Sequence, residues 1–203
     1  MKPTGPMPPQ FGASDDGQLL IGGRRADELV EEAGGTPLFV YDNNIIGGQI
    51  ARFQAAMTAG ISLYYTVAAN PYEPLLNFIG RYVDGFRVVS QGELERLKRA
   101  ELAGIPMTFA GPGKTDAEID AALRAGATLS IESEGEAERA IRAGERLGIQ
   151  PRLGVRITPT LEMDHVGRKA TDVPSPFGVD ANRAPALIAG LIEAGVDWRG
   201  LHM

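Results

Sequence analysis

Five short polar stretches recur along this chain in places that suit chemistry: Ala68-Ala69-Asn70, Ser90-Gln91-Gly92-Glu93, Gly111-Pro112-Gly113-Lys114, Glu132-Ser133 and Arg156-Ile157-Thr158-Pro159. Each follows an apolar run. Together they offer a carboxylate for proton transfer or charge pairing, a guanidinium, an ammonium and hydroxyls. Arg156 interrupts the apolar run "LGVRI". A guanidinium taken out of water needs an anion or carboxylate beside it, which marks Arg156 as a binding residue. Glu93 has two readings, a group facing a cavity or a first-turn charge that favours its own helix. "GPGKT" resembles a phosphate loop, but that motif needs a glycine where Thr108 stands, and the loop is too short to wrap a triphosphate. Lys114 is accordingly expected to be a solvated residue at a helix start. His165, in "LEMDHVGR", reads as a loop residue, and His202 lies on a terminal strand with its side open.

Composition narrows the chemistry. The chain has 203 residues, no cysteine and a net charge of −6. Disulfides, a thiolate nucleophile and zinc-thiolate sites are excluded, and two distant histidines show no metal-ligand spacing. An acidic balance argues against nucleic acid as a partner. No apolar run reaches the roughly 20 residues that span a bilayer, and the Pro-rich start "MKPTGPMPPQFG" lacks the apolar core of a signal peptide. A soluble cytoplasmic protein is the expectation.

The elements that must carry these stretches follow a rhythm. Apolar runs alternate with helical patterns: "TPLFVYD", "SLYYTVA", "GFRVVS", "PMTFAG", "ATLSIES", "PRLGVRI" and "DWRGLHM" read as strands, with helices between them. The runs suit strands covered on both faces. Gly60, Gly104, Gly126, Gly148 and Gly195 are expected left-handed helix stops, and Thr115 to Glu118 reads as a capping box. Alternation on a step of roughly 20 to 25 residues implies right-handed βαβ units and a parallel sheet. An open doubly wound sheet and a (β/α)8 barrel both fit. A barrel would be cut short here after about five to six strands. In either fold the strands' carboxyl ends form the working mouth, which is where the polar stretches fall. The expected division is an N-terminal arm over residues 1–36 and a partial barrel over 37–203.

Seven segments then carry a resemblance. "YTVAANP", "DGFRVVSQGEL", "FAGPGKTDAEI", "LSIESEGEAER", "GVRITP", "PFGVD" and "RGLHM" occur in the order and spacing of the fold-type III pyridoxal-phosphate decarboxylases, the ornithine, diaminopimelate and arginine decarboxylase group. "LLIGGR" and "GGTPLFVYD" look most like the branch associated with exosortase A systems. The resemblance implies a TIM-type barrel of the alanine racemase and decarboxylase kind, with pyridoxal 5'-phosphate as cofactor and an amino acid as substrate. It also implies a dimer, and an arm that joins a separate β domain. In the family the first barrel strand reads Tyr-x-Val-Lys-Ala-Asn, and its lysine holds the cofactor as an internal aldimine. Here the segment reads Tyr65-Thr66-Val67-Ala68-Ala69-Asn70. Ala68 therefore stands at the lysine position and cannot form an imine. Lys98, Lys114 and Lys169 offer no evident substitute.

By carry-over Glu93 lies near the cofactor mouth as a catalytic candidate. Arg156, Asn70, Ser90 and His202 are cofactor-side candidates, Arg156 toward the ring hydroxyl and His202 on the floor of the site. Arg87 stands where the family has an aspartate, which reverses the local field if it faces inward. The later site segments of the family would lie past residue 203. These departures favour a decarboxylase portion that is inactive as this chain. The alternative is a non-catalytic or split-enzyme module completed by a partner, and unpaired sheet edges favour such association.

Overall fold

The computed structural model describes residues 11–158 and 176–203. His165 and Lys169 lie outside the described residues. The contacts divide the chain into two units, Met1–Ile61 and Ser62–Met203.

In the first unit, strands β1 (Gly12–Ala13), β2 (Leu19–Ile21) and β3 (Arg24–Arg25) form a small antiparallel sheet, followed by helices α1 (Ala26–Glu32) and α2 (Asn43–Ala56). Asp42 caps α2 by accepting the Ile45 backbone N–H at 2.7 Å. The segment "TPLFVYD", expected as a strand, is not one. Its apolar residues have strand propensity, but strand propensity needs a sheet edge to pair with. Phe39 within it is 83% exposed.

The second unit is built from βα steps. Strand β4 (Tyr64–Thr66) runs through a 3₁₀ turn at Val67–Ala69 to α3 (Glu73–Ile79). Then follow β5 (Gly85–Val88), α4 (Gln91–Arg99), β6 (Met107–Phe109), α5 (Asp116–Arg124), β7 (Thr128–Ile131), α6 (Glu134–Leu147) and β8 (Arg152–Thr158). Strand β9 (Val179–Asp180), α7 (Ala184–Glu193) and β10 (Asp197–His202) complete the described chain. Strands β4, β5, β6, β7, β8 and β10 pair in that order, all parallel, and β9 pairs β8 through Ile157 and Val179. This is the opening arc of a TIM-type barrel, with successive strands neighbouring one another as right-handed crossovers require. Strands β4 and β10 end the order.

The strands are not covered alike on both faces. Phe86, Val88, Phe109, Leu129, Ile131, Leu153 and Val155 are buried in a core with Leu76, Leu97, Ile119, Leu123 and Ala140 of the helices. The alternate positions Arg87, Thr108, Thr128, Ser130 and Gly154 line a cavity instead. The runs looked wholly apolar because these interspersed polar residues are short or single, but the period is two, as for any strand with one face on a core.

Helix entry in the second unit is set by one device used three times. Ser90, Thr115 and Ser133 each accept the backbone N–H three residues on, from Glu93, Glu118 and Glu136. Thr115 and Glu118 form the full reciprocal capping box. Gly126, Gly148 and Gly195 close their helices at positive φ as expected; Gly60 also has positive φ but lies past the end of α2, whose cap is the extended Met57, and Gly104 does not have positive φ. After α4 the left-handed residue is Glu101, at φ 59°.

Candidate functional site

The polar stretches gather at the carboxyl ends of β4 to β8, and two buried carboxylates organise them. Glu136, at the third position of α6, is 2% exposed and does not turn back to its own helix as Glu118 does. It accepts from Lys114 Nζ at 2.6 Å. The same ammonium donates to the carbonyls of Gly111 and Ser130, both at 2.8 Å, and lies 5.9 Å above the Phe109 ring. Lys114 is only 3% exposed. The expectation of a solvated lysine is thus corrected. The Gly-rich turn folds the side chain back under the loop, where all three ammonium protons find acceptors. That leaves it no proton for a phosphate. Burial pushes the Glu136 carboxyl above the ordinary carboxylate value, against the opposing pull of Lys114.

Glu132, at the end of β7, is the second organiser. Its side chain is 2% exposed and takes donors from three elements. Gly111 N–H after β6 donates at 2.6 Å, Arg156 Nη1 of β8 at 3.2 and 3.1 Å, and Gly178 N–H before β9 at 3.1 Å. Arg156 therefore has the carboxylate its burial demands, and its guanidinium also lies 4.9 Å from the Phe177 ring centroid. No sequence signal picked out Glu132 as the partner, since strand register brings it there.

The remaining candidates fall as follows. Val67 is fully buried in the core and Tyr65 meets Phe86 edge to face, while Ala68 is exposed at the carboxyl end of β4. Asn70 accepts the Tyr72 N–H at 3.1 Å through Oδ1, and its carbonyl accepts the Tyr65 hydroxyl. Ser90 caps α4. The Glu93 carboxylate accepts the Val89 N–H at 3.0 Å, which ties it to the strand–helix turn. His202 Nδ1 and Ser130 Oγ share a 2.7 Å hydrogen bond on the cavity wall. Arg87 lines the same cavity. Among the described residues no group of His, Cys, Asp or Glu is placed to hold a metal, and no helix is long and apolar enough to cross a membrane.

Burial, and after it the charges of Arg156 and Arg87, hold the His202 imidazole below its ordinary value. His202 thus takes up its proton at lower pH in the folded chain than in the unfolded one. Its stabilising contribution is whole above the ordinary value of about 6.5 and is lost as the pH falls through it. Urea midpoints measured from about pH 7 down to about pH 5 should fall more steeply for the wild type than for His202→Gln. Parallel curves would show that His202 is not perturbed.

Residues 44–203 match the family described as pyridoxal-dependent decarboxylase, pyridoxal binding domain. The diaminopimelate decarboxylase of Deinococcus radiodurans is 35% identical over 173 residues, covering 83% of this chain and 43% of that protein. That of Neisseria meningitidis serogroup B is 35% identical over 165 residues, covering 80% of this chain and 38% of its own length. The crystal structure of diaminopimelate decarboxylase from M. jannaschii superposes with a TM-score of 0.86 at 25% identity, over 95% of this chain and 47% of that one. The chain spans less than half the length of these relatives.

The family's cofactor is pyridoxal phosphate, and the described residues do not fit its covalent attachment. Ala68, at the position that the resemblance assigns to the attachment lysine, carries a methyl group and no amine. Lys114 is buried and fully hydrogen-bonded, and Lys98 is exposed on α4. A match over most of the chain, the parallel half-barrel and the polar strand ends agree on one conclusion. The chain belongs to the pyridoxal-dependent decarboxylase family, through its pyridoxal-binding domain.

Proposed function

We propose that this chain is a decarboxylase-type half-barrel that does not anchor pyridoxal phosphate covalently and is catalytically inactive by itself. The observation that carries this is Ala68, exposed at the carboxyl end of β4, together with the full commitment of Lys114 to Glu136 and two carbonyls. The substrate class of the wider fold, an α-amino acid losing its carboxylate, is inferred from the relatives' names. Here it becomes the class from which any ligand of a completed barrel would be drawn. The segments "LLIGGR" and "FAGPGKTD" support the branch associated with exosortase A systems.

A second reading is favoured by the strand order. Strands β4 and β10 each have one strand neighbour among the described residues. Exposed parallel edges template further strands, which supports completion by another chain or by a second copy.

The test is reduction. Wild-type chain incubated with pyridoxal phosphate and borohydride should show no stoichiometric adduct at any lysine. A single stoichiometric adduct mapped by mass spectrometry to Lys114 or to another lysine would overturn the reading.

A further inference from the structure

We propose that the groove between α6 and α7 is a self-association surface, occupied by α7 of a second copy of this chain lying antiparallel along it. The groove holds about 630 Å³ and is lined by Glu134, Ala137 and Ile141 of α6 and by Leu187, Gly190 and Leu191 of α7, among others. It lies among the helices, not on the face of the sheet that carries Arg87. From Ala184 to Ile192 α7 has no polar side chain, yet Ala186, Ala189 and Gly190 are exposed. A surface helix keeps a polar face, and a helix apolar all round is one that something covers.

The charges at the ends of α7 choose the occupant. Helices α4, α5 and α6 place acidic residues in the first turn and basic ones in the last, as the helix dipole favours. Helix α7 reverses this, with Arg183 at its N-cap and Glu193 as its last residue. Each charge opposes the dipole of its own helix, and each suits the end of an antiparallel neighbour that lies beside it. Arg183 pairs with Glu134 at 2.6 Å and keeps further N–H donors, while Glu193 has no ion pair among the described residues.

Spacing agrees with charge. Arg183, Ala186, Gly190 and Glu193 follow one another at intervals of three, four and three, which sets them in one line along the helix. That spacing reads the same in both directions. A two-fold axis at the level of Ile188 lays the line on itself, with Arg183 opposite the partner's Glu193 and Ala186 opposite the partner's Gly190. Each charge then sits about 7.5 Å along the axis from the centre. At the centre the small side chains let two helices approach closely, and a Cβ on Gly190 would meet nothing within 4 Å. A contact of this symmetry closes at two copies. The inference rests on α6 and α7 alone, so it stands whether or not the half-barrel reading above holds.

The test is sedimentation equilibrium on the full chain over a wide range of concentration, with urea midpoints checking that each variant folds. A monomer–dimer equilibrium is expected. Gly190→Gln should weaken it roughly tenfold or more by filling the groove. The same change should not destabilise the monomer, because the site is open and glycine is the poorer helix former. Arg183→Glu and Glu193→Arg should each weaken the dimer by roughly tenfold, since like charges then face each other. Arg183→Glu/Glu193→Arg should restore it with the pair exchanged. Glu193→Arg is the sharper single variant. It brings the net charge of −6 two units closer to zero, so a non-specific contact would tighten where this one loosens. A wild type that stays monomeric would leave the groove to another kind of chain and overturn the proposal. Dimerisation equal in Gly190→Gln and the wild type would overturn it too and move the contact to the sheet edges. So would a double variant no tighter than the singles.

Discussion

Replacing Glu136 with alanine is expected to cost this chain about 3–5 kcal/mol, a large share of the 5–15 kcal/mol that holds a domain folded. The reason is what is left behind. Lys114 is 2% exposed at its side chain and would keep two carbonyl acceptors but lose the carboxylate it is paired with. A buried ammonium without a carboxylate is costlier than the pair was favourable. Lys114→Met should cost less at low pH, because its orphan can neutralise itself. Burial already raises the Glu136 carboxyl, and removing the ammonium raises it further. The linkage sign follows. A carboxyl whose folded value is raised contributes stability below its unfolded value and loses it as the pH rises through the folded value. Lys114→Met should therefore weaken with rising pH more steeply than the wild type does. The single Trp198 gives a fluorescence signal for urea unfolding. The double variant Lys114→Met/Glu136→Leu should recover most of the loss, since a buried pair replaced by apolar groups is often neutral. A double variant as unstable as Glu136→Ala would mean that the hydrogen bonds to Gly111 and Ser130, and not the charge pair, hold the loop.

The same pair shows where reading the sequence reached and where it stopped. The βα rhythm was legible because each apolar strand run is short, each helix keeps an apolar stripe, and Ser90, Thr115 and Ser133 mark helix entry. The alanine at the end of β4 was legible because the flanking Tyr65, Val67 and Asn70 hold the family pattern. Lys114 was not legible, because its partner lies 22 residues on and meets it only through parallel strand pairing. One signal was present. Three helices begin with a capping residue followed three positions later by glutamate, and the third of those glutamates falls on the most apolar flank, after "TLSIE". A carboxylate at a buried helix start implies a cation nearby, and Lys114 is the lysine nearest in the fold. Glu132 was among the polar strand ends, but its partners escaped notice for a similar reason. Its donors come from the ends of β6 and β8 and from the turn before β9, none adjacent in sequence. The expected strand at residues 36–42, which does not form, shows the converse. Propensity was read correctly, but no neighbouring strand was there to realise it.

Ala68→Lys is expected to convert a chain with no covalent affinity for pyridoxal phosphate into one that forms a single borohydride-reducible link at position 68. The position is open, so the longer side chain meets no packed core, in contrast to its buried neighbour Val67. The setting also favours the reactive form of the new amine. Arg87 stands on the adjacent strand, paired with Thr66 two residues earlier, and a like charge nearby disfavours an ammonium and lowers its pKa. A larger fraction of free amine means faster attack on an aldehyde. Ala68→Lys/Arg87→Asp should react more slowly at neutral pH, because an aspartate in that place stabilises the ammonium instead. Rates of the absorbance change, followed by mass mapping of the reduced product, separate the two variants. Equal rates would mean that Arg87 does not reach the end of β4. Adducts spread over several lysines in Ala68→Lys would mean that the barrel mouth is not formed by the described residues, and the half-barrel reading would fail with it.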